Sequence, residues 1–285
     1  MTKPESRAVP ISFEFFPPRE AEGRTRLIHN VASKLAQLAP EYFSVTYGAG
    51  GTTKQGTRQT VDALIKNGFK AAPHLSMGAD DIADIKQMLD DYQAAGVTRI
   101  VALRGDQPSG LGSTRFAHNA EALVRLIREH SGDTFDIEVA AYPEVHPDAQ
   151  NAAADLDFFK RKIDAGASGA ITQYFYNADA YENFLERANQ AGITVPIIAG
   201  VMPITNLASI LRFSEKCGAE VPRWLCKTLG DLEHDEPETA RVGVDVVTRL
   251  CERLISLGAP GIHFYTLNRW GATTRICENL GYSTA

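Results

Sequence analysis

Along most of the chain, short runs of β-branched and aromatic residues alternate with longer stretches whose apolar positions recur every three or four residues. The short runs predict strands at residues 11–15, 42–47, 69–75, 98–103, 135–142, 170–175, 195–201 and 262–266. Several are almost wholly apolar, as strands covered on both faces must be. The longer stretches predict amphipathic helices. Ile82, Ile85, Leu89 and Tyr92 form one helical stripe, and Val242, Val246, Leu250, Leu254 and Leu257 another. Gly68, Gly96, Gly166, Gly192, Gly218 and Gly258 each follow such a stripe, where a C-terminal cap is expected.

Eight strand–helix units in 285 residues predict an α/β protein: a single-domain, closed (β/α)8 TIM barrel over residues 11–285, preceded by a polar tail at 1–10. An open doubly wound sheet is the competing arrangement, but no dinucleotide fingerprint follows the first strand. The seventh crossover, residues 202–260, is the longest. It is expected to carry an extra helix at about residues 224–229 and an acidic surface loop at 231–237.

Composition narrows the class. With 44% hydrophobic and 22% charged residues the chain reads as an ordinary globular protein, and it has no apolar run long enough to span a bilayer. Residues 1–10 lack the apolar core of a signal peptide, so a cytoplasmic location is expected. A net charge of −6 argues weakly against nucleic acid as the main partner. Cys217, Cys226, Cys251 and Cys277 show no paired spacing, which favours buried thiols over disulfides or a zinc site.

The candidate chemistry lies where the strands end, because a barrel collects its functional groups on the C-terminal face. Glu14, in Ile11-Ser12-Phe13-Glu14-Phe15-Phe16-Pro17-Pro18, is a carboxylate flanked by phenylalanines near the end of the first strand. Poor solvation disfavours a charged carboxylate, so a carboxyl group in such a place is suited to donating a proton near neutral pH. Pairing with a nearby Arg or Lys is the alternative. Other ends carry His74, Arg104-Gly105-Asp106, Tyr142 to His146, Gln173-Tyr174-Phe175 and Tyr265 to Arg269. The Arg104 guanidinium suits a phosphate or carbonyl oxygen, and the Asp106 carboxylate suits developing positive charge. The triplet Tyr174-Phe175-Tyr176 fits either the core or a platform for a flat ring.

The stretch from Gly48 to Gly56 resembles a phosphate loop only in outline. Thr57-Arg58 stands where a Walker A loop needs Lys followed by Ser or Thr, so only close backbone approach to a ligand is implied. On the next-to-last strand ends' neighbouring helix, Asp155 and Lys162 lie two turns apart on one face, beside Arg161. No His/Glu spacing suggests a metal site, and no Ser or Cys sits in a nucleophile elbow.

These residues also carry a family resemblance. Phe13-Glu14-Phe15-Phe16-Pro17-Pro18, Ser44-Val45-Thr46-Tyr47-Gly48-Ala49, Ala72-Pro73-His74-Leu75, Leu103-Arg104-Gly105-Asp106, Ala140-Ala141-Tyr142-Pro143-Glu144-Val145-His146-Pro147, Ile171-Thr172-Gln173 and His263-Phe264-Tyr265-Thr266-Leu267-Asn268-Arg269 occur in the order seen in the methylenetetrahydrofolate reductases. The chain resembles the compact bacterial members from Phe13 to about Gly281.

The resemblance implies a barrel that holds FAD without a Rossmann fingerprint. It places Thr46, Tyr47, Ala49, His74, Arg104, Gly105, Asp106, Ala117, Tyr142, His146, Ala149, Asp155, Arg161 and Lys162 along the flavin. It implies reduction of 5,10-methylenetetrahydrofolate to 5-methyltetrahydrofolate, with NADH or NADPH reducing the flavin and leaving before folate enters. Glu14 would be the general acid and Asp106 the stabiliser of a 5-iminium cation. Gln173, Tyr265 and Arg269 would contact substrate, whereas Leu207 stands where some members carry a stacking Phe. A homo-oligomer is expected, and inhibition by S-adenosylmethionine is not. Two other readings stay open: a flavin barrel of the proline dehydrogenase type, and a phosphate-binding lyase or isomerase.

Overall fold

The computed structural model describes residues 9–47, 54–78, 81–104, 120–232 and 234–283. Among them, eight parallel strands pair in chain order, and the last returns to the first to close a barrel. They are β1 (Ile11–Phe15), β2 (Phe43–Val45), β3 (Ala71–Ser76), β4 (Arg99–Leu103), β5 (Asp136–Ala141), β6 (Gly169–Thr172), β7 (Ile197–Val201) and β8 (Ile262–Tyr265). Around them run α1 (Ala21–Arg26), a π-helical turn (Leu27–Ala32), α2 (Ser33–Ala36), α3 (Lys54–Lys66), α4 (Ile82–Ala94), α5 (Ala120–Ser131) and α6 (Ala152–Asp164). The ring continues with α7 (Ala178–Gln190), α8 (Leu207–Cys217), α9 (Arg223–Gly230), α10 (Glu236–Ser256) and α11 (Gly271–Asn279). The closed sheet excludes the open alternative.

Strand alternation divides the side chains between two environments. On β1, Phe13 and Phe15 point outward, where Phe13 packs on Phe43 and Phe264 and Phe15 stacks on Phe43. Ser12 and Glu14 point into the barrel. The outward layer meets the helices: Ile85, Leu89 and Tyr92 of α4, and Leu123, Val124 and Ile127 of α5, are all buried in the same core.

The helical stripes differ from expectation in two places. Ile82 is 48% exposed, so the buried stripe of α4 begins at Ile85. In α10 the buried seam follows Gly243, Val247, Leu250, Cys251 and Leu254, and Val242 and Val246 are only half-buried. The cause is a close approach, since a Cβ on Gly243 would come within 2.5 Å of the Ile204 carbonyl oxygen. The helix therefore turns its smallest residue toward the barrel. All six glycines expected to close helices adopt left-handed φ, from 72° at Gly218 to 114° at Gly166.

The extra helix of the seventh crossover is α9. The acidic segment after it is shorter than expected, because Glu236 and Pro237 already belong to α10. Asp235 caps that helix by accepting from the Glu238 amide at 3.0 Å, and proline occupies its first turn. β2 and β6 stop earlier than their apolar runs suggest. Tyr174, Phe175 and Tyr176 consequently lie beyond β6 and are buried, with Phe175 stacked on Tyr181, so the triplet belongs to the core. Cys217, Cys226, Cys251 and Cys277 are free thiols. Among the described residues, no helix is long and apolar enough to cross a membrane.

Candidate active site

The inward side chains near the C-terminal strand ends surround a cavity of about 570 Å3. It brings together Glu14, Thr46, Tyr47, His74, Arg104, Tyr142, His146, Ala149, Asp155, Arg161, Lys162, Gln173 and Tyr265, all expected from sequence. Ala49, Gly105, Asp106 and Ala117 lie outside the described residues. Arg269 is exposed and does not line the cavity. Leu207 opens α8, packed against the core at the outside of the barrel.

At the cavity floor, Glu14 is 8% exposed, but its surroundings differ from those suggested by its phenylalanine neighbours. Two imidazoles face the carboxylate: His74 Nε2 lies 3.4 Å and His263 Nε2 3.7 Å from Glu14 Oε2. Neither an Arg nor a Lys pairs with it among the described residues. Burial drives the His74 pKa down to about 4, against the opposing pull of the Glu14 charge. His74 is therefore neutral near neutral pH. It belongs to the middle of β3 rather than its end, paired with Val101 of β4.

The backbone at Glu14 is fixed by the connection after β8. Thr266 Oγ1 donates to the Glu14 carbonyl at 2.7 Å. Asn268 Nδ2 donates to the Phe16 carbonyl at 2.8 Å, and the Phe16 amide donates to Asn268 Oδ1 at 2.9 Å. Leu267 and Asn268 adopt φ of 53° and 59°, uncommon for residues other than glycine. A strained turn thus clamps the strand that carries the carboxylate. Asn268 was not an expected site residue, although its place two residues beyond Thr266 at a strand end was a usable sign.

A basic group of side chains occupies the opposite wall. Arg104 pairs with Asp148 at 2.7 Å. The Asp155 carboxylate accepts from the His146 amide at 3.0 Å, and His146 Nδ1 accepts from the Asp148 amide at 3.0 Å, leaving Nε2 to carry the proton of the neutral ring. Burial, helped by Arg104, lowers the His146 pKa. Lys162 reaches inward from α6 to donate to the Ala140 carbonyl, and burial holds its pKa down to about 8 against the attraction of Asp155. Arg161 is half-exposed, stacked over Phe158 with its guanidinium carbon 4.6 Å from the ring centroid.

Between these walls lie flat apolar surfaces from Val101, Leu103, Ala140 and Ile171. Gln173 Oε1 accepts from the Tyr174 amide at 3.0 Å, which leaves the Gln173 amide nitrogen as a donor. Tyr265 donates to the Thr172 carbonyl at 2.7 Å, and its ring passes over Gly200. A Cβ at Gly200 would meet the Thr172 oxygen at 2.0 Å and Tyr265 Cε2 at 2.8 Å. Gly200→Ala is expected to cost about 1–3 kcal/mol of stability through overpacking and to displace Tyr265. Denaturant unfolding measures the first effect; an unchanged midpoint would contradict the packing described.

The family model for methylenetetrahydrofolate reductase matches residues 1–281. The chain belongs to the methylenetetrahydrofolate reductase family. It is 39% identical over 272 residues to 5,10-methylenetetrahydrofolate reductase of Escherichia coli K12, covering 95% of this chain and 90% of that protein. It is 33% identical to methylenetetrahydrofolate reductase (NADH) 1 of Zea mays, again over 95% of this chain but only 48% of the maize protein. Among solved structures, an uncharacterized Clostridium thermocellum protein described as binding two copies of 5-methyl-5,6,7,8-tetrahydrofolic acid superposes with a TM-score of 0.68. Their identity is 16%, and the match covers 95% of this chain and 94% of the other, a likeness of fold. As a methylenetetrahydrofolate reductase homologue, the chain is an oxidoreductase.

Proposed function

We propose that this chain reduces 5,10-methylenetetrahydrofolate to 5-methyltetrahydrofolate, using FAD as cofactor and NADH or NADPH as hydride donor in a ping-pong cycle. The observation that carries the reading is the cavity itself: a buried carboxylate at its floor, apolar walls, and a basic group at its opposite side. The residues fit the cofactor. Thr46 Oγ1 and His74 Nε2 are buried without a hydrogen-bond partner among the described residues, so the wall retains unused polar atoms. Arg104, Arg161, Lys162 and His146 would hold the diphosphate and other polar groups, while Thr46, Tyr47, Tyr142 and Ala149 would line the ring system. Bound FAD would supply two-electron chemistry, taking hydride from the nicotinamide and delivering it to folate.

Glu14 gives a proton to the folate nitrogen released as the five-membered ring opens, which generates the 5-iminium cation that accepts hydride. Gln173 donates a hydrogen bond to the pterin. Tyr265, fixed by the Thr172 carbonyl, forms the floor beside it. Asp106, outside the described residues, is assigned to stabilising the cation, and the exposed Arg269 to the folate tail. Sharing one cavity requires the nicotinamide to depart before folate binds.

The visible spectrum tests the cycle. A yellow protein should bleach on adding NADH or NADPH and regain its absorbance on adding 5,10-methylenetetrahydrofolate. Bleaching without folate-dependent recovery would sink this reading and favour a different flavin barrel; a protein that takes up no flavin would return attention to a lyase or isomerase.

A further inference from the structure

Barrel interiors are ordinarily packed with branched apolar side chains. Here a polar column runs beneath the active-site cavity toward the N-terminal mouth. The pairing of β1 with β8 sets Ser12 beside His263, and Ser12 Oγ lies 2.7 Å from His263 Nδ1. The other ring nitrogen, Nε2, faces Glu14 and makes no hydrogen bond among the described residues. Ser12 also acts as a hydrogen-bonding neighbour of the Tyr42 hydroxyl, which donates to Glu138 Oε2 at 2.6 Å. Glu138 Oε1 then lies 3.2 Å from Arg99, whose guanidinium extends to Glu41 and Asp136.

Ser12, Tyr42, Glu138 and His263 are each less than 5% exposed. A second cavity of about 260 Å3, lined in part by Ser12, Arg99, Asp136 and Glu138, meets the column at the far end of the barrel. Buried polar groups in such numbers are costly compared with an apolar core, which makes a use for them worth seeking. Burial also raises the Glu138 pKa, against the attraction of Arg99, and so favours its holding a proton. Meanwhile a ligand filling the upper cavity stands between Glu14 and solvent on that side.

We propose that His263, Ser12, Tyr42 and Glu138 form a relay that returns a proton to Glu14 from the N-terminal mouth of the barrel. The inference rests on the reading of Glu14 as proton donor. After Glu14 has protonated folate, the Nε2–H bond of His263 breaks as an O–H bond forms on Glu14. His263 Nδ1 takes the Ser12 proton, Ser12 takes that of Tyr42, and Tyr42 takes that of Glu138. Water in the lower cavity reprotonates Glu138. One proton enters and one is delivered, with no electron transferred; rotation of the hydroxyls and return of the imidazole tautomer reset the chain, since hydroxyls both donate and accept. Side-chain rotation closes the gap between His263 and Glu14 during transfer. Arg99 and the neutral His74 are positioning residues.

The test uses Tyr42→Phe and Glu138→Gln, which keep side-chain shape, and Ser12→Ala against Ser12→Thr. In the FAD-loaded enzyme, a first folate turnover should keep its wild-type rate, because Glu14 starts protonated. Later turnovers should slow by about tenfold or more, giving a burst, with a larger solvent deuterium isotope effect. Ser12→Thr should restore the steady rate. In the flavin-free protein, exchange of the His263 ring proton with solvent, followed by nuclear magnetic resonance, should slow in Tyr42→Phe and Glu138→Gln. Wild-type steady turnover with unchanged exchange in these two variants would overturn the relay, as would equal slowing of flavin reduction and first folate turnover. Glu14→Gln separates the two ideas: if it turns over folate normally, the Glu14 assignment fails, whereas an inactive Glu14→Gln beside fully active relay variants removes the relay alone.

Discussion

Glu14→Gln is expected to leave reduction of the flavin by NADH or NADPH near its wild-type rate while lowering folate turnover by about 10²–10⁴-fold, the contribution of a positioned general acid. The substitution keeps size and planarity at a site with little room to adjust, since Glu14 lies beneath the cavity between His74 and His263. The Thr266 and Asn268 clamps act on the backbone and survive it. What is lost is the transferable proton. Hydride transfer from the nicotinamide requires no proton from this carboxyl group, so the two half-reactions should separate in stopped-flow absorbance. Folate oxidation of the reduced enzyme at the wild-type rate would refute the assignment, and loss of both half-reactions would point to a damaged cofactor site. The dissociation constant for folate provides the control, because an acid acting only as the ring opens changes rate more than binding.

The barrel was legible because its two periodicities are strong: period two at Ile11 to Phe15, and helical spacing at Ile85, Leu89 and Tyr92. Strand ends were less legible. Apolar composition carried the sixth strand on to Phe175, whereas the ladder ends at Thr172 and the following aromatics serve the core. The carboxylate was found, but its environment was misjudged. Phe13 and Phe15 are neighbours in sequence and face away in space, and the histidines beside Glu14 come from β3 and β8. The lower column was missed for a related reason. Attention to strand C-terminal ends passes over Ser12, Tyr42 and Glu138, which sit nearer the opposite mouth. Parity supplied the missing signal: Ser12 lies two residues from Glu14, and His263 two from Tyr265, so each shares the inward face of its strand. Arg161 and Lys162 were expected together, but α6 separates their environments, leaving Arg161 half-exposed and Lys162 buried.

That burial gives Lys162 the second large effect. Lys162→Met should stabilise the flavin-free protein near pH 7 while weakening FAD binding by about tenfold or more. A lysine held at a pKa of about 8, from an ordinary 10.5, corresponds to roughly 3 kcal/mol of unfavourable burial. Below pH 8 both folded and unfolded chains carry the proton, so the cost is fully present there. Between about 8 and 10.5 the unfolded chain binds more proton than the folded one, and stability rises with pH until the penalty is gone. Methionine matches the length of the stem and carries no charge. It forfeits the hydrogen bond to the Ala140 carbonyl, worth about 1 kcal/mol, which leaves an expected gain of about 2 kcal/mol. Asp155 keeps its bond from the His146 amide in the variant, so removal of the ammonium does not leave that carboxylate without a partner. Urea unfolding at about pH 7 and again near pH 10 should therefore show an advantage for the variant that shrinks as the pH rises. Titration of FAD by fluorescence quenching should show the opposite preference, because an anionic cofactor lying against Lys162 gives the buried charge its missing partner. A variant no more stable at pH 7, or one binding FAD as tightly as the parent, would mean that Lys162 is neither strained by burial nor engaged by the cofactor.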